Sequence, residues 1–486
     1  MESMLNDAIS TINGYLWSYL IIFILIGAGL FFTMTTNFVQ IRMIKEMIRL
    51  VINGAGSSTE KNHVSSFQAF CVSTASRVGV GNIAGIAIAV VLGGPGAIFW
   101  MWVIALIGAA TGFIESTLAQ IYKEPVAKGG FYGGPAYYIR YGLNNKALSV
   151  LFAILISITY GWIYNSVQAN TLAASLQVFN LDVSYTGAVV AVLLGIIIFG
   201  GINRVAKASE IIVPIMAILY IATALFVVIM NITQFPHVIY TIFSSAFEPV
   251  AAGGGLLGAT VMNGIKRGLF SNEAGEGSVP NAAATAAVNH PVEQGLVQAF
   301  GVFLDTFIIC TASAFIVLIV GDYSTTGLTG IALVQHNLAQ QLGPWAPTAV
   351  AIFIVMFSFS SLIGNYYYGE INISHLTNKR FYLHLFRIGV ILMTFVGSIA
   401  SLDLVWNLAD LFMAFLVLTN VSSIVRMGRT AGLALDDYIK QRKAGIETPV
   451  FNRSILNHTY GIVWWGDGQT TDSSVPPTPI EDTVEK

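Results

Sequence analysis

The sequence predicts an all-α membrane protein that crosses the bilayer many times. Hydrophobic residues make up 55% of its 486 residues, charged residues only 10%, and the mean hydropathy is +0.72. A soluble protein of this size needs more charge on its surface, so the composition indicates a polytopic membrane protein. The apolar segments are continuous over about 20 residues, the length of a membrane-spanning helix. An outer-membrane barrel would instead show short strands of alternating polarity.

Eleven apolar segments are long enough to be membrane-spanning helices, and we number them spans 1 to 11. Pro214 falls near the start of span 6, where the first turn of a helix tolerates proline. We expect a short interfacial helix in segment 231–252, between spans 6 and 7. The predicted spans are residues 17–38, 67–92, 98–121, 148–176, 183–201, 211–232, 255–286, 295–320, 347–371, 388–402 and 404–424.

Span 2 holds polar residues where an apolar helix is expected. Its residues 72–85 read Val-Ser-Thr-Ala-Ser-Arg-Val-Gly-Val-Gly-Asn-Ile-Ala-Gly. Glycine is about 1 kcal/mol less favourable than alanine in a helix, and an arginine at membrane depth costs more. Irregular polar backbone is tolerated in a membrane only where it is buried in protein or lines a wet cavity. We therefore expect a discontinuous helix whose free amides bind a small anionic group.

Span 7 is interrupted in the same way. Residues 263–280 read Asn-Gly-Ile-Lys-Arg-Gly-Leu-Phe-Ser-Asn-Glu-Ala-Gly-Glu-Gly-Ser-Val-Pro within an apolar frame. Span 2 opens spans 2–6 and span 7 opens spans 7–11, so a repeat of five spans places the two halves in opposite orientations. Interrupted helices at matching positions of inverted halves mark the midplane site of a secondary transporter.

The cationic residues predict the orientation in the membrane. Three of the 23 Lys and Arg residues lie inside spans 2 and 7, and the other 20 fall in segments on one side of the membrane. The positive-inside rule makes that side cytoplasmic, which places the N-terminus outside and the C-terminus inside. The predicted divisions are an N-terminal span with its cytoplasmic loop (1–66), a first inverted repeat (67–232), an external segment with the second inverted repeat (233–424) and a polar cytoplasmic tail without catalytic content (425–486).

Several motifs point to a known family. Residues 93–108 read Gly-Gly-Pro-Gly-Ala-Ile-Phe-Trp-Met-Trp-Val-Ile-Ala-Leu-Ile-Gly, and further agreement lies at 75–85, 133–136, 167–170, 270–275, 280–283 and 438–443. Over nearly its whole length the chain resembles the alanine or glycine:cation symporter family, within the amino acid–polyamine–organocation superfamily. The resemblance implies an importer of alanine, glycine or a similarly small amino acid, coupled to sodium and sometimes to protons. It also implies the five-plus-five inverted-repeat fold of the neurotransmitter:sodium symporters, with one extra N-terminal span.

The break in span 2 supplies candidate ligands for a substrate carboxylate. The amides of Gly79, Val80 and Gly81 precede the second half of the span, whose helix dipole favours an anion. Asn82 offers a side-chain oxygen to a cation or to the substrate, and the superfamily resemblance favours sodium. The alternative role of the glycines is close packing between helices.

Spans 7 and 4 supply the rest of the predicted substrate site. Carbonyl groups freed around Phe270, Ser271 and Asn272 are expected to receive the substrate ammonium, with Phe270 capping the side-chain pocket. Asn165 and Gln168 lie three residues apart on one face of span 4. The family motif around Gln168 favours a substrate role over simple interhelical hydrogen bonding.

The resemblance also implies a sodium site between spans 2 and 9. The carbonyls of Ala75 and Val78 match superfamily positions that coordinate sodium. Ser360 and Ser361 of span 9 are expected to add hydroxyl groups, and Phe357 another backbone carbonyl. Oxygen ligands of this kind suit a hard cation. The alternative is that the serines hydrogen-bond to their own helix.

Ionisable side chains at membrane depth are expected to form structural or gating ion pairs, because an unpaired buried charge is too costly. We expect these pairs to connect the two broken helices. The residues concerned are Arg77, Lys266, Arg267, Glu273 and Glu276. Further ionisable groups within or beside the spans would be able to carry a proton, and the sequence does not choose among them: Glu115, Asp305, Glu370, Asp403 and Asp410.

These observations predict a secondary active importer of alanine and glycine, coupled to sodium by alternating access; a proton-coupled transporter of the same or a related amino acid is the alternative. A channel needs rings of pore-lining groups, and an enzyme needs a nucleophile with its base; the sequence favours neither. We expect no cofactor, with sodium as co-substrate, and no nucleic-acid partner, since the net charge is −2. Cys71 and Cys310 lie within spans, which argues against a disulfide framework. The predicted location is the bacterial inner membrane or the archaeal cell membrane.

Overall fold

The chain folds almost entirely into helices. The computed structural model describes residues 2–55, 64–126, 130–199, 202–248 and 258–466. Within these ranges the one strand pair is short and antiparallel, formed by Glu124–Pro125 and Phe131–Tyr132. Eight of the described helices are long and apolar enough to cross a membrane. The predicted all-α polytopic membrane fold is therefore confirmed.

The eight long helices correspond to predicted spans 1, 3, 4, 6 and 8–11, and we keep those numbers. They are span 1 Glu2–Thr35, span 3 Ala97–Ile121, span 4 Lys146–Phe179, span 6 Ile202–Met230, span 8 Pro291–Val320, span 9 Ala346–Leu376, span 10 Arg380–Ile399 and span 11 Leu402–Lys443. Span 5 is the shorter apolar helix Val183–Ile198. The total of eleven membrane crossings stays a prediction.

Shorter helical segments connect or interrupt the spans. Those between spans are Val39–Arg42, Ile44–Ala55, Pro135–Gly142, Phe235–Ser245 and Gly330–Leu342, and a 3-10 turn follows span 11 at Arg453–Ile455. Phe235–Ser245 lies in the segment where we predict a short helix. Spans 1, 4 and 8 each contain a π-helical segment, at Trp17–Ile21, Thr159–Tyr164 and Leu304–Cys310, and span 4 ends in a 3-10 turn, Gln177–Phe179.

Two of the long helices extend beyond their predicted ends. Span 6 begins at Ile202, so Pro214 lies inside the helix and its predicted first-turn position is wrong. The first turns of this helix contain polar residues, so an apolar segment does not mark its start. A membrane helix tolerates an interior proline where neighbouring groups satisfy the freed carbonyl. Span 11 continues to Lys443, well beyond the predicted end near residue 424.

Spans 2 and 7 are broken helices, as the sequence predicts. Span 2 consists of Ser66–Arg77, a 3-10 turn at Val80–Asn82 and a second helix, Ala84–Gly93. Span 7 consists of Ala259–Asn272 and Val279–Thr285. We refer to the two helices of each as its first and second half. All four halves lie largely in the interior of the protein.

The two broken helices run in opposite directions beside each other. The Val64 carbonyl, just before span 2, accepts a hydrogen bond from the Ala287 N–H, just after span 7, at 3.0 Å. Closer to the two breaks, the Ser76 hydroxyl of span 2 donates to Glu273 of span 7 at 2.8 Å. Residue numbers therefore rise in one helix as they fall in the other. This antiparallel arrangement brings the two breaks to the same level.

Spans 5 and 6 lie at the outside of the bundle, and large apolar side chains on them are exposed. Exposed side chains of this kind include Val192, Ile196, Ile218 and Phe226. Contact with lipid explains these exposed apolar groups, because a lipid-facing helix surface is as apolar as its core. The polar and charged side chains of spans 2, 7 and 8 are buried instead, which concentrates the polar groups in the centre of the bundle.

Segments predicted to be cytoplasmic meet at one end of the bundle, which we call the basic end. There the Tyr438 hydroxyl donates to the Glu46 carboxylate at 2.7 Å. At the other end of span 11 the Ser401 N–H donates to Glu2 at 3.1 Å, so the N-terminus lies opposite. The side on which each end faces stays a prediction.

The described part of the tail folds back over the basic end. Trp465 donates its indole N–H to the Gln120 carbonyl at 2.8 Å, and its ring lies 5.0 Å from the Lys123 ammonium. Lys123 in turn donates to the Ala286 carbonyl, just beyond the second half of span 7, at 2.8 Å. Burial lowers the pKa of Lys123 well below its ordinary value. Tail residues 467–486 lie outside the described residues.

Replacing Trp465 with alanine is expected to lower the thermal unfolding temperature of the purified full chain in detergent. Removing a buried aromatic side chain costs about 3–5 kcal/mol, and this one packs beside Lys123 and Phe451. Trp345→Ala is the matched control, because the Trp345 side chain is 59% exposed. Equal unfolding temperatures for the two variants would contradict the packing of the tail.

Candidate substrate and cation site

The first half of span 2 ends at Arg77, and Asn82 stabilises the turn that follows. Gly79 is extended, with φ −132° and ψ −154°, and its N–H donates to the Asn82 side-chain oxygen at 3.0 Å. An asparagine that binds nearby backbone groups competes with helical hydrogen bonding. The break therefore arises from the local sequence, and the second half resumes at Ala84.

The break in span 7 depends on residues that leave the helical conformation. Glu273 lies in the left-handed region with φ 58°, and it is followed by Gly275 with φ 101° and Gly277 with φ 79°. Glycine adopts positive φ values without steric cost, which suits positions 275 and 277. Pro280 then occupies the first turn of the second half, where its missing N–H costs nothing.

Aromatic rings form a wall between the two breaks. A Cβ atom added to Gly81 would lie 2.6 Å from the Phe270 ring, so the ring rests directly on the backbone of span 2. The centroid of the Phe270 ring lies 4.7 Å from that of Tyr164 and 4.8 Å from that of Trp406. Sequence reasoning selects Gly81 and Phe270 but misses Tyr164 and Trp406, which come from distant spans.

Of the two predicted polar residues on span 4, one reaches the break in span 2. Gln168 accepts the Val80 N–H at 3.1 Å through its side-chain oxygen. Asn165 donates to the Gly161 carbonyl of its own span at 3.1 Å. Gln168 therefore contacts a backbone amide predicted for the substrate carboxylate, whereas Asn165 makes its recorded hydrogen bond within span 4.

A buried carboxylate on span 8 joins both breaks. Asp305 is 1% exposed and accepts hydrogen bonds from the Asn82 side chain at 2.5 Å and from the Ser271 hydroxyl at 2.6 Å. Thr306 donates to the same carboxylate at 3.2 Å and accepts from the Asn272 side chain at 3.2 Å. These residues gather several oxygen atoms around one negative charge, which suits a hard cation.

The position of Asp305 in the sequence carries only a weak signal for this role. It is an aspartate in an apolar span, followed directly by threonine, and sequence reasoning includes it only among possible proton carriers. The hydrogen bonds to Asn82 and Ser271 join it to residues more than 30 positions away in the chain. Only the tertiary structure brings these groups together.

The predicted sodium ligands of spans 2 and 9 are partly brought together. The Ser361 hydroxyl donates to the Ala75 carbonyl at 2.9 Å, which links the two spans. The Ser360 hydroxyl instead donates to the Phe357 carbonyl of its own helix at 2.9 Å, the arrangement named above as the alternative. Val78 caps the first half of span 2, and its N–H closes the last turn of that helix.

The buried cations do not pair across the two broken helices as expected. Arg267 forms two hydrogen bonds to Asp410 of span 11, and the Lys266 ammonium lies 3.4 Å from the same carboxylate. Span 11 therefore supplies the partner of both residues. Arg77 donates to the Gln298 carbonyl of span 8 at 3.2 Å.

The two glutamates of span 7 are bound by hydroxyl groups. Glu273 accepts hydrogen bonds from Ser76 at 2.8 Å and from Ser278 at 2.6 Å. Glu276 accepts from the hydroxyls of Tyr160 at 2.8 Å and Tyr164 at 3.1 Å. Within the described residues neither glutamate belongs to an ion pair.

Two antiparallel helices broken at the same level, with polar groups gathered between them, define a secondary transporter of the inverted-repeat type. The sequence model of the sodium:alanine symporter family matches residues 1–453. The chain belongs to this family, which confirms the resemblance described above. It is accordingly a multi-pass membrane transporter that carries an amino acid by symport.

Curated relatives cover nearly the whole chain. It is 50% identical over 466 residues to the probable sodium/glutamine symporter GlnT of Bacillus subtilis, a match that covers 96% of this chain and 97% of that protein. It is also 42% identical over 475 residues to the putative sodium/proton-dependent alanine carrier YrbD of the same organism, covering 94% of this chain and 97% of the relative.

A solved structure supports the fold. The crystal structure of MhsT in complex with L-phenylalanine matches with a TM-score of 0.56 at 15% sequence identity, covering 78% of this chain and 90% of that one. At this identity the similarity concerns the fold alone, and it agrees with the five-plus-five inverted-repeat architecture predicted for spans 2–11.

Proposed function

We propose that this chain is a secondary active importer of alanine and glycine, coupled to sodium by alternating access. The observation that carries the proposal is the close approach of the two broken helices, where Phe270 of span 7 rests on Gly81 of span 2. Breaks at matching positions of inverted halves free backbone groups at the midplane of a transporter. Membership of the sodium:alanine symporter family supports the same conclusion.

The substrate carboxylate binds at the break in span 2. The Val80 N–H, which donates to Gln168 in this structure, turns to the carboxylate, and Gln168 presents its amide NH₂ to the same group. The neutral hydrogen bond is thus replaced by two that are charge-assisted, and such bonds are roughly twice as strong. The N–H groups of Gly79 and Gly81 belong to the same turn, at the positive end of the second half-helix.

The substrate ammonium and side chain bind on the opposite side, at span 7. The first half of this span ends at Asn272, so the carbonyls of Phe270, Ser271 and Asn272 lie in its last turn, where helical acceptors lack helical donors. The Phe270 ring, held between Tyr164 and Trp406, limits the side-chain pocket. A wall of packed rings favours a substrate with a hydrogen or methyl side chain.

Sodium binds at two groups of oxygen atoms next to the substrate. The first group is built around Asp305 and the Ser271 hydroxyl. Asn82, whose NH₂ donates to Asp305 and whose oxygen accepts the Gly79 N–H in this structure, joins it when its amide turns its oxygen to the cation. The second joins the carbonyls of Ala75 and Val78 to the hydroxyl of Ser361. Ser360 and Phe357 complete this second group when the Ser360 hydroxyl turns away from its own helix. Occupation of both groups draws the break of span 2 towards spans 8 and 9.

The same proposal includes the topology. The chain crosses the plasma membrane eleven times, with the N-terminus outside and the basic end in the cytoplasm. This is supported by the distribution of Lys and Arg, of which 20 of 23 fall in segments on one side. Spans 2–6 (67–232) and spans 7–11 (233–424) act as the two inverted repeats, and one bundle rocks against the other.

Glutamine is a second candidate substrate, because a relative with 50% identity is named a probable sodium/glutamine symporter. Its side chain is longer than that of alanine and carries two hydrogen-bond donors and two acceptor lone pairs. Binding it requires the Phe270 ring to move from its position between Tyr164 and Trp406.

Uptake of labelled alanine into proteoliposomes tests the proposal. An inward sodium gradient is expected to drive accumulation, and excess unlabelled glycine to compete more strongly than glutamine. Stronger competition by glutamine would show that the transporter prefers glutamine. Accumulation driven by a proton gradient alone in sodium-free buffer would favour the proton-coupled alternative and exclude sodium as the driving ion.

A further inference from the structure

Three glutamates are buried around the break in span 7. Glu115 of span 3 reaches it from the side, and Glu273 and Glu276 belong to the break itself; all three side chains are almost fully enclosed. An isolated ionised carboxylate in a protein interior carries a desolvation penalty of several kcal/mol. Among the described residues none of the three forms an ion pair. The desolvation penalty therefore has to be offset by hydrogen bonds or avoided by protonation.

Glu115 is satisfied by its neighbours. It accepts the Gly275 N–H at 3.1 Å on one oxygen and the Asn420 side-chain amide at 2.7 Å on the other. These donors fix the loop of span 7 against spans 3 and 11. Both of its oxygens have partners, so Glu115 acts as a structural anion of the break.

Glu276 differs, because its two donors bind the same oxygen. The hydroxyls of Tyr160 and Tyr164 both donate to Oε2, whereas Oε1 is buried without a hydrogen-bond partner among the described residues. The Tyr368 ring of span 9 lies 5.3 Å from that of Tyr160. Unpaired buried polar atoms are rare in folded proteins and point to a missing ligand.

The neighbouring Glu273 places a negative charge within electrostatic reach of Glu276. The Ser76 hydroxyl lies 2.8 Å from a Glu273 oxygen and 2.8 Å from the Asn365 side-chain oxygen, yet a hydroxyl has one proton to donate. Exchange of the Asn365 oxygen and nitrogen resolves this conflict, and it leaves Glu273 ionised beside Glu276.

Charged and titratable groups approach this pair from every neighbouring span. Arg77 and Asp305 lie within electrostatic reach of Glu273, Glu115 within reach of Glu276, and Asp410 within reach of Tyr164. Asp410 is itself paired with Lys266 and Arg267, so the groups left are two further carboxylates, Asp305 and Glu115, and one cation, Arg77. Two carboxylates placed together in such surroundings do not both ionise readily, and Glu276, with one oxygen unpartnered among the described residues, is the one placed to take up a proton.

We propose that Glu276 is a proton-binding site that exchanges one proton with solution in each transport cycle. An O–H bond forms at Glu276 Oε1 with a proton taken from water when the site opens to one side. That bond breaks, and water accepts the proton, when the site opens to the other side. The inference rests on the proposed sodium-coupled transport.

The test measures protons and alanine together. Proteoliposomes with a pH-sensitive dye inside receive labelled alanine under an inward sodium gradient, and protons moved per alanine are recorded. The wild-type chain is expected to show an alanine-dependent pH change of either sign. Glu276→Gln is expected to move no protons per alanine, however much alanine it still carries. Glu370→Gln is the control, since that carboxylate is paired with Arg387 at 3.1 Å; its proton-to-alanine ratio is expected to stay unchanged.

A milder variant keeps the inference testable if Glu276→Gln fails to fold or to transport. Tyr160→Phe retains the carboxylate but removes a donor to its charged form, which favours protonation. The pH at which the proton-to-alanine ratio is half-maximal is expected to rise by about one unit. Sodium-driven uptake without any wild-type pH change, or an unchanged ratio in Glu276→Gln, overturns the proton site alone. Absence of sodium-driven uptake in the wild type would overturn the proposed function instead.

Discussion

Replacing Asp305 with alanine is expected to abolish sodium-driven alanine uptake at ordinary sodium concentrations. The change removes the carboxylate that accepts hydrogen bonds from Asn82 and Ser271, and with it the anionic partner of the cation. Hydrogen bonds to a charged group contribute about 1.5–3 kcal/mol each. We expect the sodium concentration for half-maximal uptake to rise at least ~100-fold, which corresponds to about 2.8 kcal/mol.

Two further variants separate charge from folding. Asp305→Asn keeps an acceptor for Ser271 but removes the negative charge, so it should weaken sodium activation nearly as much as alanine does. Asp403→Ala removes an exposed carboxylate at the start of span 11 and is expected to leave uptake unchanged. Normal sodium activation in a well-folded Asp305→Ala protein would remove Asp305 from the cation site.

Replacing Gly81 with alanine is expected to reduce alanine uptake at least tenfold. The new methyl group would meet the Phe270 ring at 2.6 Å, and this ring is held between Tyr164 and Trp406. Overpacking of this kind costs about 1–3 kcal/mol even in cores that adapt. Here the ring or the break has to move, and both contact the proposed substrate. Initial rates of labelled uptake at several alanine concentrations measure the effect.

Gly27→Ala is the matched control for this substitution. Gly27 lies within span 1, and a Cβ atom there would meet nothing within 4 Å. The double variant Gly81→Ala with Phe270→Leu is expected to remove the clash, since the smaller leucine side chain frees space beside the break. Recovery of uptake in the double variant is the expected result. Wild-type rates in Gly81→Ala alone would show that the Gly81–Phe270 contact does not shape the site.

The broken helices were predictable because their signals are local. Glycines, an asparagine and charged residues within a few positions of each other are incompatible with a regular apolar helix, as in residues 72–85. The structure adds the mechanism, since Asn82 binds the Gly79 N–H within the same turn. The inverted relation between spans 2 and 7 also followed from counting spans.

Contacts between distant segments were not predictable in the same way. The sequence showed that Arg267 needs a partner but not that Asp410 provides it, because the choice depends on which helix face meets span 11. In the sequence Asp305 is one acidic residue among several, and only the structure shows that Asn82 and Ser271 donate hydrogen bonds to it. The polar composition of the tail likewise did not predict that Trp465 packs against Gln120.

The central claim is that sodium and the amino acid bind side by side between the two breaks and stabilise each other. Alanine affinity of the purified protein, measured by calorimetry over a range of sodium concentrations, tests it most directly. Linkage requires that each ligand raise the affinity of the other by the same factor. We expect the alanine dissociation constant to fall at least ~10-fold from sodium-free to saturating conditions, with an equal fall for sodium on adding alanine. An alanine dissociation constant independent of sodium would contradict the account.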